Sequence, residues 1–307
     1  MLFTDKLIEF EKIIRPSFEQ LVNDALIKQN HPGNMLIWLN NGFYNESIFN
    51  YKPIDGKVFN PHVVGPGEIG HSEQAHFRFI HQYRQAYLAK LKYTEYLKQL
   101  EFTEDRKKEI DELVDFEETT INLEMLVYIK FWESDSIIKK LYELVRICNS
   151  ENYDWYFKIA ESNRDNNATG NRQDLIRKEI RDKIEKTYPS LYSCIKKAYK
   201  TQIRNAIAHS KYSFQGRNIH IHNYIKEDPH SQISNITFDE WVDIFHITTV
   251  LHNEYIRANN YINEYYDSVA KKHNNEFPIL ITEKEGKQYE LPLIYRPDFK
   301  DWRYKQT

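Results

Sequence analysis

Apolar residues recur every three to four positions along most of the chain, the period of helices that bury one stripe. Phe3, Leu7, Phe10, Ile14, Leu21 and Ile27 predict an amphipathic helix over 3–27, bent at Arg15-Pro16. A second helix is expected from His71 to about Leu100, its aromatics Phe77, Phe79, Tyr83, Tyr87, Tyr93 and Tyr96 packing while His71, His76 and His81 stay wet. Thr120 to Trp132 is apolar on nearly every side and predicts a central buried helix. Glu133, Ser134 and Asp135 interrupt it, and Ile137, Ile138, Leu141, Leu144, Val145 and Cys148 mark the next. Leu191, Ile195, Ala198, Tyr199, Ala206 and Ile207 predict one helix from about 190 to 209, with Pro189 in its first turn. Thr237-Phe238-Asp239-Glu240 reads as a capping box opening a long helix with Trp241, Ile244, Phe245, Leu251, Tyr255 and Tyr261.

Period-two alternation marks Ile219 to His222, after a Gly216 turn, and Pro278 to Leu293, around Glu285-Gly286. Each is expected to be a small hairpin. Residues 31–70 hold most of the glycines and predict an irregular segment with a short strand near Met35–Leu39. The charged run 101–115 is expected to be a solvated helical connection, and Ser162 to Arg172 a polar loop. The fold class expected is all-α: a helical bundle over 118–266 with a hairpin after its penultimate helix, a helical and loop-rich region over 1–117, and a hairpin and tail over 267–307.

Composition narrows this picture. The 307 residues carry 42 basic and 45 acidic side chains, so no global basic field advertises nucleic acid and any such site must be local. Arg164, Arg172, Arg177, Lys178, Arg181, Lys183, Lys186, Lys196, Lys197, Lys200 and Arg204 form a basic-leaning stretch that leads into the 190–209 helix. Cys148 and Cys194 lie in helical patterns and are expected to be buried thiols. With no signal-like start and no apolar run of about 20 residues, a soluble cytoplasmic protein is expected.

The chemistry concentrates in Gln202-Ile203-Arg204-Asn205-Ala206-Ile207-Ala208-His209. On a helix Asn205 and His209 stack on one face and Arg204 flanks them. The bland account is that Arg204 pairs with a carboxylate and His209 suits the helix C-terminus. The Arg-Asn-x-x-x-His string on a helix followed by a hairpin resembles the HEPN superfamily of helical domains, many of them metal-independent ribonucleases that work as dimers. Arg204, Asn205 and His209 match the family positions one for one, and the resemblance covers roughly residues 118–266. Arg217-Asn218-Ile219-His220-Ile221-His222 fits the same string, but its alternation puts it on a strand, where Arg217 and His222 would face opposite ways.

The residue types suit the reaction that the resemblance implies. Histidine, with an ordinary pKa of ~6.5, can take or give a proton near neutral pH. Arginine stays charged and grips phosphate oxygens with a planar fork. Asn205 would orient the imidazole or the phosphate. One chain supplies one such histidine, so a two-fold dimer, bringing two motif helices together, would supply both proton transfers. The resemblance therefore implies an RNA-cleaving toxin or antiviral effector acting as a homodimer. It implies no cofactor and no metal, and an antitoxin or defence-system protein as a further partner. A non-cleaving subunit that binds RNA or protein is the alternative. Glu133 and Asp135 are candidates to support the site, with helix capping as their simpler role. One branch of the family carries a tyrosine two residues after the histidine; here that residue is Lys211, which argues against control by tyrosine modification.

Overall fold

The structure is a computed structural model that describes residues 1–40, 42, 69–162, 165, 168–225, 227, 232–283 and 285–304, with the backbone alone for 69–74. Most of the irregular 31–70 segment, the side chain of His71, and Asn163, Arg164, Asn166 and Asn167 of the expected polar loop lie outside the described residues.

In chain order the longer elements are α1 (Thr4–Lys28), α2 (Asn34–Leu39), α3 (Ile69–Tyr87), α4 (Tyr93–Gln99), α5 (Lys107–Trp132) and α6 (Asp135–Cys148). After three short helical pieces between 172 and 184 come α7 (Pro189–Ala198), α8 (Thr201–Ala208), β1 (Tyr212–Phe214), β2 (Asn218–Ile221) and β3 (Asn235–Thr237). The chain ends with α9 (Phe238–Lys272), β4 (Glu276–Thr282), β5 (Gln288–Arg296) and β6 (Asp301–Tyr304).

The expectation of an all-α fold needs correction: the chain is mostly helical but carries two antiparallel three-stranded sheets, ordered β1-β2-β3 and β4-β5-β6. Both hairpins lie where alternation placed them, turning at Gly216 (φ 55°) and Gly286 (φ 83°). The third strand of each sheet is three or four residues long, too short to show a period.

Three helical expectations change as well. Met35–Leu39 is helix, not strand, because an unbroken apolar run has no period to separate the two. The helix expected over 71–100 breaks after Tyr87, where the Leu2 amide donates to the Tyr87 carbonyl and the Ala89 amide to the Leu2 carbonyl. The charged run is helical from Lys107, as expected, and continues unbroken to Trp132, with Arg106 paired to Glu109 at 3.1 Å. The helix expected over 190–209 is two helices, with extended backbone at Lys200 (φ −125°, ψ 119°) between them. The Thr237 capping box forms: the Glu240 amide donates to Thr237 Oγ1 at 3.1 Å and the Thr237 amide to Glu240 Oε2 at 2.8 Å.

The chain divides into two compact units that do not follow the boundaries expected at 117 and 266. The first holds Met1–Ser17, Gln74–Ser134 and Pro189–Asn253. Its core includes Phe3, Tyr93, Tyr96 and Val242, and the aromatic stack of Tyr128, Trp241 and Phe245. Glu124 is buried there and accepts from Tyr83 Oη and Trp241 Nε1, each at 2.7 Å, and from the Met1 ammonium.

The second unit holds Phe18–Glu73, Asp135–Tyr188 and Glu254–Thr307. Its sheet β4-β5-β6 buries Phe277, Ile279, Leu293 and Trp302. Gly33 lies so close to it that a Cβ there would fall 2.6 Å from Ile279 Cγ2. The helix α6 is buried nearly all round, including Lys139, Lys140 and Glu143. Lys140 Nζ lies 5.6 Å from the ring centres of both Trp38 and Tyr255, which suits a buried ammonium. Burial pulls the Lys139 ammonium down to about 8 and pushes the Glu143 carboxyl well up.

Two histidines of α9 are buried in the first unit, and burial pulls each down to about 3. His246 accepts from the Phe3 amide at 2.8 Å through Nε2 and donates to the Val242 carbonyl at 2.6 Å through Nδ1, whereas neither ring nitrogen of His252 has a hydrogen-bond partner among the described residues. Above their ordinary pKa both states are neutral. Below it the unfolded chain takes up protons that the folded one refuses until about pH 3, so stability falls with pH across that window. Between roughly pH 7 and pH 5 each should cost about 2 kcal/mol. His252→Leu is therefore expected to hold or raise stability at neutral pH and to remove about 2 kcal/mol of the acid loss. Urea unfolding of both proteins at the two pH values measures this, and an unchanged acid loss would contradict it.

Candidate active site

The three expected site residues lie in the first unit, at the C-terminal part of α8 and its cap. The interruption before α8 has a structural partner: Tyr128 Oη, on α5, donates to the Ala198 carbonyl at 3.1 Å, satisfying a carbonyl at the end of α7. Tyr199 is buried against Trp132, with ring centres 5.0 Å apart, and α8 then starts from extended Lys200. Ile203, Ala206 and Ile207 face inward, leaving Arg204 and Asn205 half-buried and Ala208 and His209 exposed.

Arg204 is held from two sides. Its Nε donates to Glu133 Oε1, and its Nη1 donates to Asn205 Oδ1 at 2.7 Å. The hydrogen bond to Glu133 raises the guanidinium above its ordinary pKa, against desolvation. Glu133 sits at the C-cap of α5, so the residues that interrupt the 120–132 run supply the arginine's counter-charge. This is the carboxylate partner of the bland account, and it is compatible with phosphate binding. Two of the five guanidinium N–H groups are engaged by Glu133 and Asn205, leaving three for an anion. Asp135 opens α6 in the second unit and pairs there with Arg172.

His209 caps α8, its amide donating to the Asn205 carbonyl at 3.1 Å. The turn beyond is a Schellman motif: the Ser210 amide donates to the Ile207 carbonyl at 3.2 Å and the Lys211 amide to the Ala206 carbonyl at 2.7 Å. Ser210 takes the left-handed conformation, φ 52°, where glycine is the usual occupant. The Lys211 carbonyl accepts from the His222 amide at 2.8 Å, which ties the hairpin to the helix end. The hairpin copy of the motif has a different role. Arg217 forms a bidentate pair with buried Glu117, at 2.9 and 3.0 Å, and reaches Asp239 at 3.0 Å, while His222 Nε2 lies 2.8 Å from Ser213 Oγ.

Three contacts around the site had no clear signal in the sequence. Gln202 binds the backbone of Ile233 through both ends of its amide, at 2.8 and 3.0 Å. Asn223 Nδ2 donates to the Gln202 carbonyl at 2.9 Å, and Tyr212 Oη donates to Asn122 Oδ1 at 2.9 Å. All pair residues distant in the chain, which no local period connects.

The basic-leaning stretch is divided between the units at Tyr188 and Pro189. In the second unit Arg172, Lys178, Arg181 and Lys183 pair with Asp135, Asp174, Asp182 and Glu151, and in the first Lys197 pairs with Asp243 at 2.6 Å. Much of the apparent excess is thus internally neutralised. Among the described residues no group of three or more His, Cys, Asp and Glu side chains is placed to hold a metal ion, and no helix is long and apolar enough to cross a membrane. No protein-family model, curated protein or solved structure matches the chain.

Because Ser210 holds a left-handed backbone with a Cβ in place, Ser210→Gly should stabilise the protein by about 0.5–1 kcal/mol, the relief of strain exceeding the added entropy of glycine. Thermal unfolding measures it. A lower midpoint would mean that the seryl side chain contributes more than its backbone costs.

Proposed function

We propose that the chain is a metal-independent endoribonuclease of the HEPN type, a cytoplasmic toxin or antiviral defence effector that cleaves RNA as a homodimer. The observation that carries this reading is the constellation at one helix end: an arginine fixed by Glu133 and Asn205, beside an exposed imidazole at the cap. In the proposed reaction His209 takes the proton from a ribose 2′-OH as that oxygen attacks phosphorus. Arg204 receives the extra negative charge through its remaining N–H groups. As the bond from phosphorus to the 5′-oxygen breaks, the partner subunit's His209 gives that oxygen a proton. The products are a 2′,3′-cyclic phosphate and a 5′-hydroxyl.

The exposed face of α5 supports self-association here. It runs from Asn122 past Leu126, which is 51% exposed, towards Glu133, so an apolar side chain flanks the Arg204 pair. A second reading, a subunit that binds without cutting, is favoured by one observation: Glu133 already neutralises Arg204, which weakens its pull on phosphate.

Purified protein incubated with single-stranded RNA in EDTA is expected to cut it and leave cyclic phosphate ends. His209→Ala and Arg204→Ala should each lower the rate by about 10²-fold or more. Absence of cleavage by a folded dimer would favour the binding subunit, and loss of cleavage in EDTA alone would favour a metal enzyme. Leu126→Asp is expected to shift the protein to monomer in light scattering and to lower cleavage in parallel, with His209 intact. A monomeric wild type that still cleaves would remove the composite site.

A further inference from the structure

The second unit holds a groove that shares no residue with the Arg204–His209 site. It encloses about 370 Å³, room for a side chain or a small ligand, and is lined by α1 from Phe18 to Asn23 and by α9 from Glu254 to Glu264. Phe18 and Val22, four apart on α1, and Ala258 on α9 are buried and form an apolar floor. Glu254 is buried beside them, 1% exposed, and pairs with Arg257 at 3.4 Å.

Among the described residues three carboxylates line this groove against one cation, Arg257, which is already paired. Glu19 on α1 and Glu264 on α9 are exposed and make no hydrogen bond or ion pair among the described residues. Glu151, Asp174 and Asp301 of the same unit are, by contrast, each bound to a cation. An apolar trough with two unspent carboxylates is complementary to a positive head on an aliphatic stem, and it repels phosphate.

The outer side of α9 separates a small cation from a side chain. Arg257, Tyr261 and Tyr265 follow one another there at spacings of four, with Tyr261 48% and Tyr265 40% exposed. Tyr265 is held by buried Tyr266, their ring centres 5.1 Å apart. Only Tyr261 of the exposed pair lines the groove, so a small cation would leave the Tyr265 ring in water, whereas a chain crossing the groove covers both. Tyrosine and arginine are also the residue types that carry most binding energy in protein interfaces. Of the two basic side chains, a guanidinium can lie flat on a tyrosine ring and fork to a carboxylate.

We propose that this groove docks a segment of a partner protein that seats an arginine in it, against Glu19 and Glu264. The inference is independent of the ribonuclease reading, because it uses no residue of that site.

The test presents the full chain to an array of short peptides, randomised on both sides of a central residue fixed as Arg, Lys, Gln or Glu, so that no partner sequence is assumed. Mean binding of the Arg set should exceed that of the Gln set by at least about fivefold, with Lys between them and Glu lowest. The double variant Glu19→Gln, Glu264→Gln should lose that preference, and Tyr261→Ala should weaken the Arg set more than the Lys set. All three side chains are exposed, so circular dichroism should show the variants folded. Equal binding of the Arg and Gln sets, or a preference that survives in the double variant, overturns the inference. Agmatine carries a guanidinium on an aliphatic stem without a peptide backbone. If calorimetry shows it binding as tightly as the best Arg peptide, the occupant is a small cation and the inference fails. Loss of oligomeric mass in the double variant, on sedimentation, would overturn it in favour of a second copy of the chain.

Discussion

A carboxylate taken out of water must find donors, and Glu124 in the middle of α5 is the clearest case in the first unit. Tyr83 from α3, Trp241 from α9 and the Met1 ammonium converge on it, so three parts of the chain are registered on one side chain. That register extends along α5. One turn on, Tyr128 donates to Ala198 and helps set where α7 stops, and at the end of the helix Glu133 holds Arg204. The site is thus positioned by a column of polar contacts, buried at Glu124 and Tyr128 and half-buried at Glu133, along a helix that does not itself carry the motif. Losing Glu124 would leave Tyr83 and Trp241 as unsatisfied buried donors, a larger penalty than the loss of one hydrogen bond.

The break between α7 and α8 follows from this column. An unbroken helix through Tyr199 and Lys200 would use the Ala198 carbonyl internally and leave Tyr128 Oη without an acceptor. With the break, α8 is a short helix carrying Arg204 and Asn205 on its outer side, closed by the Schellman turn at Ser210. Arg204 is locked by two partners, whereas His209 projects from the cap into solvent. The arrangement separates a fixed charge from a side chain free to reorient.

Legibility in the sequence follows from the kind of signal each feature leaves. The capping box at Thr237, both glycine turns and the apolar faces of α5, α6 and α9 were visible because they are local and periodic. Spacing makes Arg204, Asn205 and His209 candidates, and Glu133, which pairs with Arg204, stands out only by its place in the interruption after Trp132, where capping is the simpler account. The helix at Met35 was taken for a strand because five apolar residues in a row fit either. The breaks after Tyr87 and Ala198 were invisible, since each depends on a partner far away in the chain, Leu2 in one case and Tyr128 in the other. The division into two units was hidden for a similar reason. Each is assembled from three separate segments, and α1 and α9 contribute to both, so no boundary in composition marks it.

The histidines of the first unit show how environment assigns roles to one side-chain type. His246 and His252 are neutral at physiological pH because burial refuses the proton, so neither can accept one near neutrality. His222 is engaged with Ser213 on the hairpin. His209 is exposed at the cap of α8, outside the core that encloses His246 and His252. The proposed reaction, with two proton transfers at one phosphate, then turns on how a second exposed imidazole arrives. The shortest route is symmetry, because a two-fold axis near the Leu126 face would bring the same residue from a second copy without asking the chain for another motif.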